Sequence, residues 1–225
     1  MELNDKTLDV LRNFSSINSN LVVTSGNNIK TMTEARNVVS SATLSQEFPA
    51  DFGIYDLNEF LGVIGLVDKP NLDFKEEFVL ISDSSGRSKI KYFFSDPEIL
   101  TKPASEVKMP AAEVKFNLDN DTLGRLKKAA SALGHTSLAV EPDGGTLKLS
   151  IFDDNNATSN SYSTEVAGEY PDGAEFKFIF NISHFKVIPG DYTVSISSKL
   201  VSHFGHTEQD INYWIALEKS SEWKG

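Results

Sequence analysis

The sequence predicts an α+β protein built from two tandem domains of similar topology. Three observations lead there. Amphipathic helical stretches open both halves of the chain. Each is followed by short strand-like runs separated by Gly, Asp, Asn and Ser clusters. A proline-bearing stretch, residues 96–115 with Pro97, Pro103 and Pro110, lies between the halves and lacks hydrophobic periodicity. The boundaries expected are residues 1–108 and 109–225, with a connector over about 96–115.

Residues 4–17 read as the first helix. Asn4 suits the N-cap, Asp5 the first turn, and Leu8, Leu11 and Phe14 share one face. Residues 21–24 and 29–33 flank Ser25-Gly26-Asn27-Asn28, a pattern that predicts strand, tight turn, strand. Residues 38–44 and 48–53 are weaker strand candidates. Residues 54–67, IYDLNEFLGVIGLV, predict a strand end entering a helix. Asp56 is its N-cap, and Glu59 three positions on completes a capping box. Leu57, Phe60, Leu61 and Ile64 form its apolar face, and Asn58, Gly62 and Gly65 lie opposite. Two helical glycines cost roughly 1 kcal/mol each against alanine, so something is expected to approach that face closely. Residues 78–82 and 88–94 flank Asp83-Ser84-Ser85-Gly86-Arg87 as a hairpin.

The second half repeats the order. Residues 114–118 read as a strand and 119–133, DNDTLGRLKKAASAL, as a helix. Residues 137–141 and 146–152 form strands around Pro142-Asp143-Gly144-Gly145. Residues 161–166 and 175–180 are further strands. Residues 181–187 are expected as a short helix stopped by Pro189-Gly190. Residues 192–198 and 211–218 are expected as strands joined by a long polar loop.

Charge restricts function. The chain of 225 residues carries a net −11, with 11 basic against 16 acidic residues in positions 1–110 and 10 against 16 in 111–225. An ordinary DNA-binding domain is net basic, because phosphate neutralisation supplies most of its affinity. Any role on DNA therefore needs a local patch or attachment that does not depend on affinity. Such a patch exists. In the helix from Asp119, Leu123, Leu126, Ala130 and Leu133 form a buried stripe, Arg125 and Lys128 project opposite, and Lys127 flanks the stripe. The first helix shows a weaker version in Lys6 and Arg12. Equivalent helices of two repeated domains presenting cations outward point to a surface that meets a polyanion, against the alternative of a solvated face balancing nearby acids.

Catalytic patterns are missing from the sequence. It holds no phosphate loop, dinucleotide Gly pattern or zinc-protease motif, and no cysteine for a disulfide, a thiolate or a thiolate-bound metal. His203 and His206 lack a third ligand beyond Glu208 and Asp210, and Asp153-Asp154 lacks the apolar setting that would separate two carboxyl pKa values. No cofactor and no metal is expected. There is neither an apolar run of eighteen residues nor a signal-like N-terminus, so neither a membrane partner nor secretion is expected, and a reducing cytoplasm is the default.

Three stretches, IYDLNEFLGVIGLV, FNISHFKVIPGDYTV and INYWIALE, resemble the sliding clamps of T-even (T4-like) bacteriophages, the DNA polymerase processivity factors. The resemblance spans essentially all 225 residues in the same order, diverging most around residues 38–48 and 201–210. It implies the DNA-clamp fold, two similar domains per subunit, and a head-to-tail homotrimeric ring lined by helices. It also implies no enzymatic activity. An ATP-dependent clamp loader would place the ring on double-stranded DNA in the cytoplasm of an infected bacterial host. The ring would tether the DNA polymerase, with late-transcription factors and RNA polymerase as further partners. On this reading Lys6, Arg12, Arg125, Lys127, Lys128 and Lys186 face DNA, His184 more weakly. Phe93, Phe94 and Tyr162 belong to subunit-contact edges at residues 88–94 and 159–166. Val107, Met109 and Pro110 line a partner pocket, with Ile99 and Leu100 nearby. The competing reading is a monomeric protein-interaction module with a clamp-like fold.

Overall fold

The structure, a computed structural model, describes residues 1–156 and 158–225. The chain divides into two compact units, Met1–Glu106 and Val107–Gly225.

In the first unit, helix α1 (Asp5–Ile17) starts where the Asn4 side chain accepts the Thr7 N–H at 2.8 Å. Its buried stripe is Thr7, Val10, Leu11, Phe14 and Ile17. Leu8, expected inside, is only half-buried, because the stripe turns toward Val10. Strands β1 (Leu21–Val23) and β2 (Gly26–Met32) follow, but they do not form the expected hairpin. β1 pairs antiparallel with β4 (Phe52–Ile54), and β2 with β3 (Val38–Phe48). The cause lies in the turn. Gly26 takes φ +110°, the β2–β3 register shifts between Gly26 and Asn28, and the Asp51 carboxylate takes the Ser25 N–H at 2.6 Å. The Ser-Gly-Asn-Asn stretch thus passes the chain to a different partner strand.

β3 is one strand of 11 residues where two weaker runs were expected. Its polar segment stays extended because it holds the start of α1. Gln46 Oε1 accepts from the Asn4 N–H at 2.8 Å and the Thr7 hydroxyl at 3.0 Å, and Ser45 Oγ accepts from Asn4 Nδ2 at 3.0 Å. Helix α2 (Leu57–Gly65) begins as expected, with the Asp56 carboxylate accepting from the N–H groups of Asn58 and Glu59. Leu57, Phe60 and Ile64 are buried and Leu61 half-buried. Among the described residues, nothing beyond the helix's own backbone and the adjoining residues lies within 4 Å of a Cβ built on Gly62 or Gly65, so that face is open. Strands β5 (Asn71–Phe74), β6 (Phe78–Ser82) and β7 (Lys89–Phe93) form an antiparallel sheet in that order; β5 was not foreseen. The predicted β6–β7 hairpin is present, its turn tied by Asp83 Oδ1 to the N–H of Arg87 at 3.0 Å.

The second unit is built from two antiparallel sheets and one long helix. One sheet runs β11 (Tyr162–Val166), β10 (Thr146–Phe152), β9 (Ser137–Asp143), β13 (Glu175–Asn181), β17 (Glu222–Lys224). The other contains β12 (Gly168–Glu169), β8 (Val114–Leu118), β14 (Tyr192–Ser197), β15 (Val201–His206), β16 (Ile211–Ala216) in that order. Their inner faces meet through aromatic edges: Phe180 of β13 lies 6.2 Å from Phe204 of β15, centroid to centroid, and Phe204 lies 6.3 Å from Tyr192 within its own sheet. Such offset contacts add to the burial of these large rings. Helix α3 (Asn120–Leu133) packs on β10.

Two expectations fail here. Residues 201–210 are not a loop: β15 occupies most of them, between β14 and β16. Its alternation is Ser202 and Phe204 inward, His203 and Gly205 half-exposed. A serine on the buried face hides that pattern, and it is tolerated because its hydroxyl donates to the Ile215 carbonyl at 2.8 Å. The short helix over residues 181–187 is a single 3₁₀ turn, Ile182–His184. The Phe185 N–H closes an i→i+3 bond to Ile182 at 3.1 Å and the next donor, Lys186 N–H, turns to His184 at 2.8 Å, so α-helix never propagates.

Candidate nucleic-acid interface

The strongest cationic feature is built on α3. Its N-cap, Asp119, accepts the Thr122 N–H at 2.7 Å and the Thr122 hydroxyl at 2.8 Å. These bonds, backbone first, hold the Asp119 carboxyl below its usual range despite slight desolvation. Arg125 Nη2 in turn donates to Thr122 Oγ1 at 2.8 Å, so the cap that starts the helix also orients its first cation. The Asn120 side chain accepts the Gly190 N–H at 3.0 Å while its own N–H donates to Asp191 at 2.8 Å, clasping residues 190–191 to the helix start. The helix ends at Gly134, whose φ of +69° is the left-handed C-cap, with its N–H bonded to Ala130.

Thr122, Leu123, Leu126 and Ala130 are buried under α3, while Leu133 is half-buried. Arg125 and Lys128 are exposed on the outer side and Lys127 is half-buried, as its flanking position predicts. Burial pushes the Lys127 ammonium pKa below its ordinary value. None of the three makes an ion pair among the described residues. They border an open depression of about 450 Å³ that Gly124, Val187 and Pro189 also line.

The other expected contacts divide. Lys6 and Arg12 are exposed on α1, but Arg12 Nη1 lies 3.0 Å from Asp9 Oδ1. Lys186 is exposed, though it follows the 3₁₀ turn and does not sit on a helix. His184 is half-buried and its imidazole pKa is lowered by that burial. α2 brings no Lys or Arg.

The edge residues also separate. Phe93 is 58% exposed at the end of β7, which pairs on one side only. The Lys91 ammonium sits 3.9 Å from the centroid of Phe78 and 4.5 Å from that of Phe93, a cation–π arrangement that sequence reasoning missed; Lys-x-Phe on an exposed strand face was the available signal. Phe94 points the other way and stacks on Phe52 at 4.9 Å within the first unit. Tyr162 is half-buried on β11, an edge strand paired only with β10. Val107, Met109 and Pro110 are half-buried, Ile99 is 72% exposed, and Leu100 is buried in the first unit.

Of the other residues singled out in the sequence, His203, His206 and Asp153 are engaged in hydrogen bonds. His203 Nε2 is 2.8 Å from Asn212 Oδ1, and His206 Nδ1 accepts the N–H of Glu208 at 3.1 Å. Asp153 accepts the Asn155 N–H at 2.9 Å in a loop turn. No group of three His, Cys, Asp or Glu suited to a metal occurs among the described residues, nor is any described helix long and apolar enough to cross a membrane.

Comparison with known proteins gives this geometry a setting. Residues 4–99 match the family model described as DNA polymerase processivity factor, and residues 115–219 that described as gp45 sliding clamp, C terminal. The sliding clamp of Vibrio phage KVP40 is 31% identical over 222 residues, covering 97% of this chain and 99% of that protein. The sliding clamp of Enterobacteria phage T4 is 28% identical over 225 residues, 98% of each. Proliferating cell nuclear antigen (PCNA) of A. fulgidus, solved with the C-terminal region of FEN-1 bound, superposes with a TM-score of 0.68 over 96% of each chain at 13% identity, a likeness of fold. The chain belongs to the sliding-clamp family, the non-enzymatic processivity factors of DNA replication.

Proposed function

We propose that three copies of this chain close head-to-tail into a ring around duplex DNA and tether the replicative polymerase for processive synthesis. The observation that carries the proposal is α3: three cations without ion pairs among the described residues, beside an open depression, in a chain of net charge −11. A protein this acidic cannot hold DNA by charge alone. A closed ring does not need to, and tight binding would oppose sliding. The cations of α3 then keep the duplex centred through phosphate contacts indifferent to sequence, and Lys6, Arg12 and Lys186 face the same hole.

Head-to-tail closure uses two different edges of the subunit. β7, with Phe93 exposed, and β11, with Tyr162, each pair on one side only and supply such edges. An ATP-dependent loader opens and places the ring. Partner proteins dock through tail segments, as the C-terminal region of FEN-1 does on A. fulgidus PCNA, and the proposed contact on this chain is near Val107, Met109 and Pro110. The polymerase is one such partner. Late-transcription factors and RNA polymerase are others, in the cytoplasm of an infected bacterium.

The test is topological. Loaded protein should stay on closed circular DNA and run off the same DNA once it is linearised, and sedimentation should give a trimer. Equal retention on circle and line, or a monomer at tens of micromolar, would replace the ring with a monomeric interaction module.

A further inference from the structure

We infer that attraction between this chain and duplex DNA is confined to α3, with one phosphate-binding depression per copy, and that α1 and α2 guide the duplex without attracting it. The inference rests on the ring reading above. Its basis is the unequal charge of the three helices.

α1 carries Lys6 and Arg12 against Asp5 and Asp9, so it is neutral as a unit. Its arginine is already committed, since the Asp9 carboxylate holds it at 3.0 Å one helical turn away. α2 carries Glu59 and no cation, and an acid, Asp56, caps it. α3 carries Arg125, Lys127 and Lys128 against Asp121, and Asp119 caps it, so it alone of the three has an excess of cations. A phosphate approaching α1 meets the exposed Lys6 and an arginine already paired with Asp9; one approaching α2 meets no cation and two acids; one approaching α3 meets three ammonium or guanidinium groups against Asp121 and the capping Asp119.

The depression beside α3 suits that role. Gly124 leaves a gap in the side-chain wall between Asp121 and Lys128, and a Cβ placed there would meet nothing within 4 Å. Lys127 lines the same depression as Gly124 and is half-buried, so its ammonium lies partly out of bulk water. Charge there is screened less than on an open surface, so a phosphate gains more from it. Arg125 is held by Thr122 at 2.8 Å through one nitrogen, leaving further guanidinium donors for phosphate oxygens. Pro189, clasped to the helix start through Asn120 and Gly190, forms the opposite rim without adding charge. A ring of three copies would therefore hold the duplex at three points, not six.

The test measures binding of a fluorescent short duplex as a function of salt, with wild type and variants matched by circular dichroism and sedimentation. Each phosphate neutralised contributes about 0.9 to the slope of log affinity against log salt. Arg125→Ala and Lys128→Ala, both at exposed positions, should each lower the slope by about one, and the triple change with Lys127→Ala by two to three, with about tenfold or greater loss of affinity near 50 mM salt. Lys6→Ala with Arg12→Ala should leave affinity within about twofold and the slope unchanged. Arg125→Lys should keep the slope, because charge is retained. Comparable losses from the α1 and α3 variants would overturn the inference. Failure of the ring reading shows separately, as wild-type protein that does not distinguish closed circles from linear DNA.

Discussion

Behind the α3 depression stand two tyrosines whose protons are held by the fold. Tyr192 and Tyr213 are fully buried, and the Tyr192 hydroxyl donates to the Ile188 carbonyl while the Tyr213 oxygen accepts the Ile188 N–H at 3.1 Å. Together they satisfy both backbone groups of the residue that leads into Pro189. Burial raises both phenol pKa values, that of Tyr213 up to about 12. The unfolded chain releases these protons first, near pH 10, so stability is fully present below pH 10 and falls as pH rises toward 12. Lys127 acts in the opposite sense, since its lowered pKa makes stability rise as pH climbs toward 10.5. The tyrosines should win, because a shift of about two units corresponds to roughly 2–3 kcal/mol, whereas Lys127 is half-exposed and solvent-screened. Tyr213→Phe should cost about 1–2 kcal/mol at neutral pH by leaving the Ile188 N–H unpaired, and should flatten the alkaline loss. Urea melts from pH 8 to pH 12 would measure both, and an unchanged alkaline slope would show that Tyr213 is not the linked group.

Among the elements, α3 has a glycine where helix propensity argues for another residue. Gly124 is helical and unobstructed, so Gly124→Ala should stabilise the fold by up to about 1 kcal/mol while narrowing the depression and weakening duplex binding. A thermal melt paired with the salt titration would read both effects; stabilisation with unchanged binding would remove Gly124 from the site. This helix was legible in sequence to within a residue of its start, because apolar stripe and outer cations are local signals, although Asp119 caps the helix and does not begin it. What failed was non-local. The pairing of β1 with β4 depends on Asp51 capturing the Ser25 N–H from 26 positions away. β15 was hidden by a buried serine whose partner, Ile215, lies on the next strand. The 3₁₀ turn at Ile182–His184 carries helix-compatible residues, but its backbone leaves the α-helical course after one turn. At the site, sequence showed which cations exist and not which are free. The Arg12–Asp9 pair was readable from i,i+3 spacing, whereas the Asn120 clasp to Gly190 and Asp191 joins residues 70 or more apart.

For the whole molecule the decisive property is closure, and two adjacent phenylalanines separate it from folding. Phe94 stacks on Phe52 at 4.9 Å and Phe74 at 6.4 Å inside the first unit, so Phe94→Ala should cost about 2–3 kcal/mol of stability. Phe93 is 58% exposed, its ring set against Phe78 and the Lys91 ammonium. Leaving it in water on a strand that pairs on one side makes sense if another subunit covers it. Phe93→Glu should therefore change monomer stability by no more than about 0.5 kcal/mol, the usual range for a surface substitution. It should nevertheless convert a trimer to a monomer in sedimentation, by placing a desolvated carboxylate where an apolar ring was buried. The same variant should lose retention on circular DNA while keeping its α3 cations and its weak salt-dependent affinity for a short duplex. A Phe93→Glu protein that still sediments as a trimer would move the closing edge away from β7, whatever the duplex titration reports.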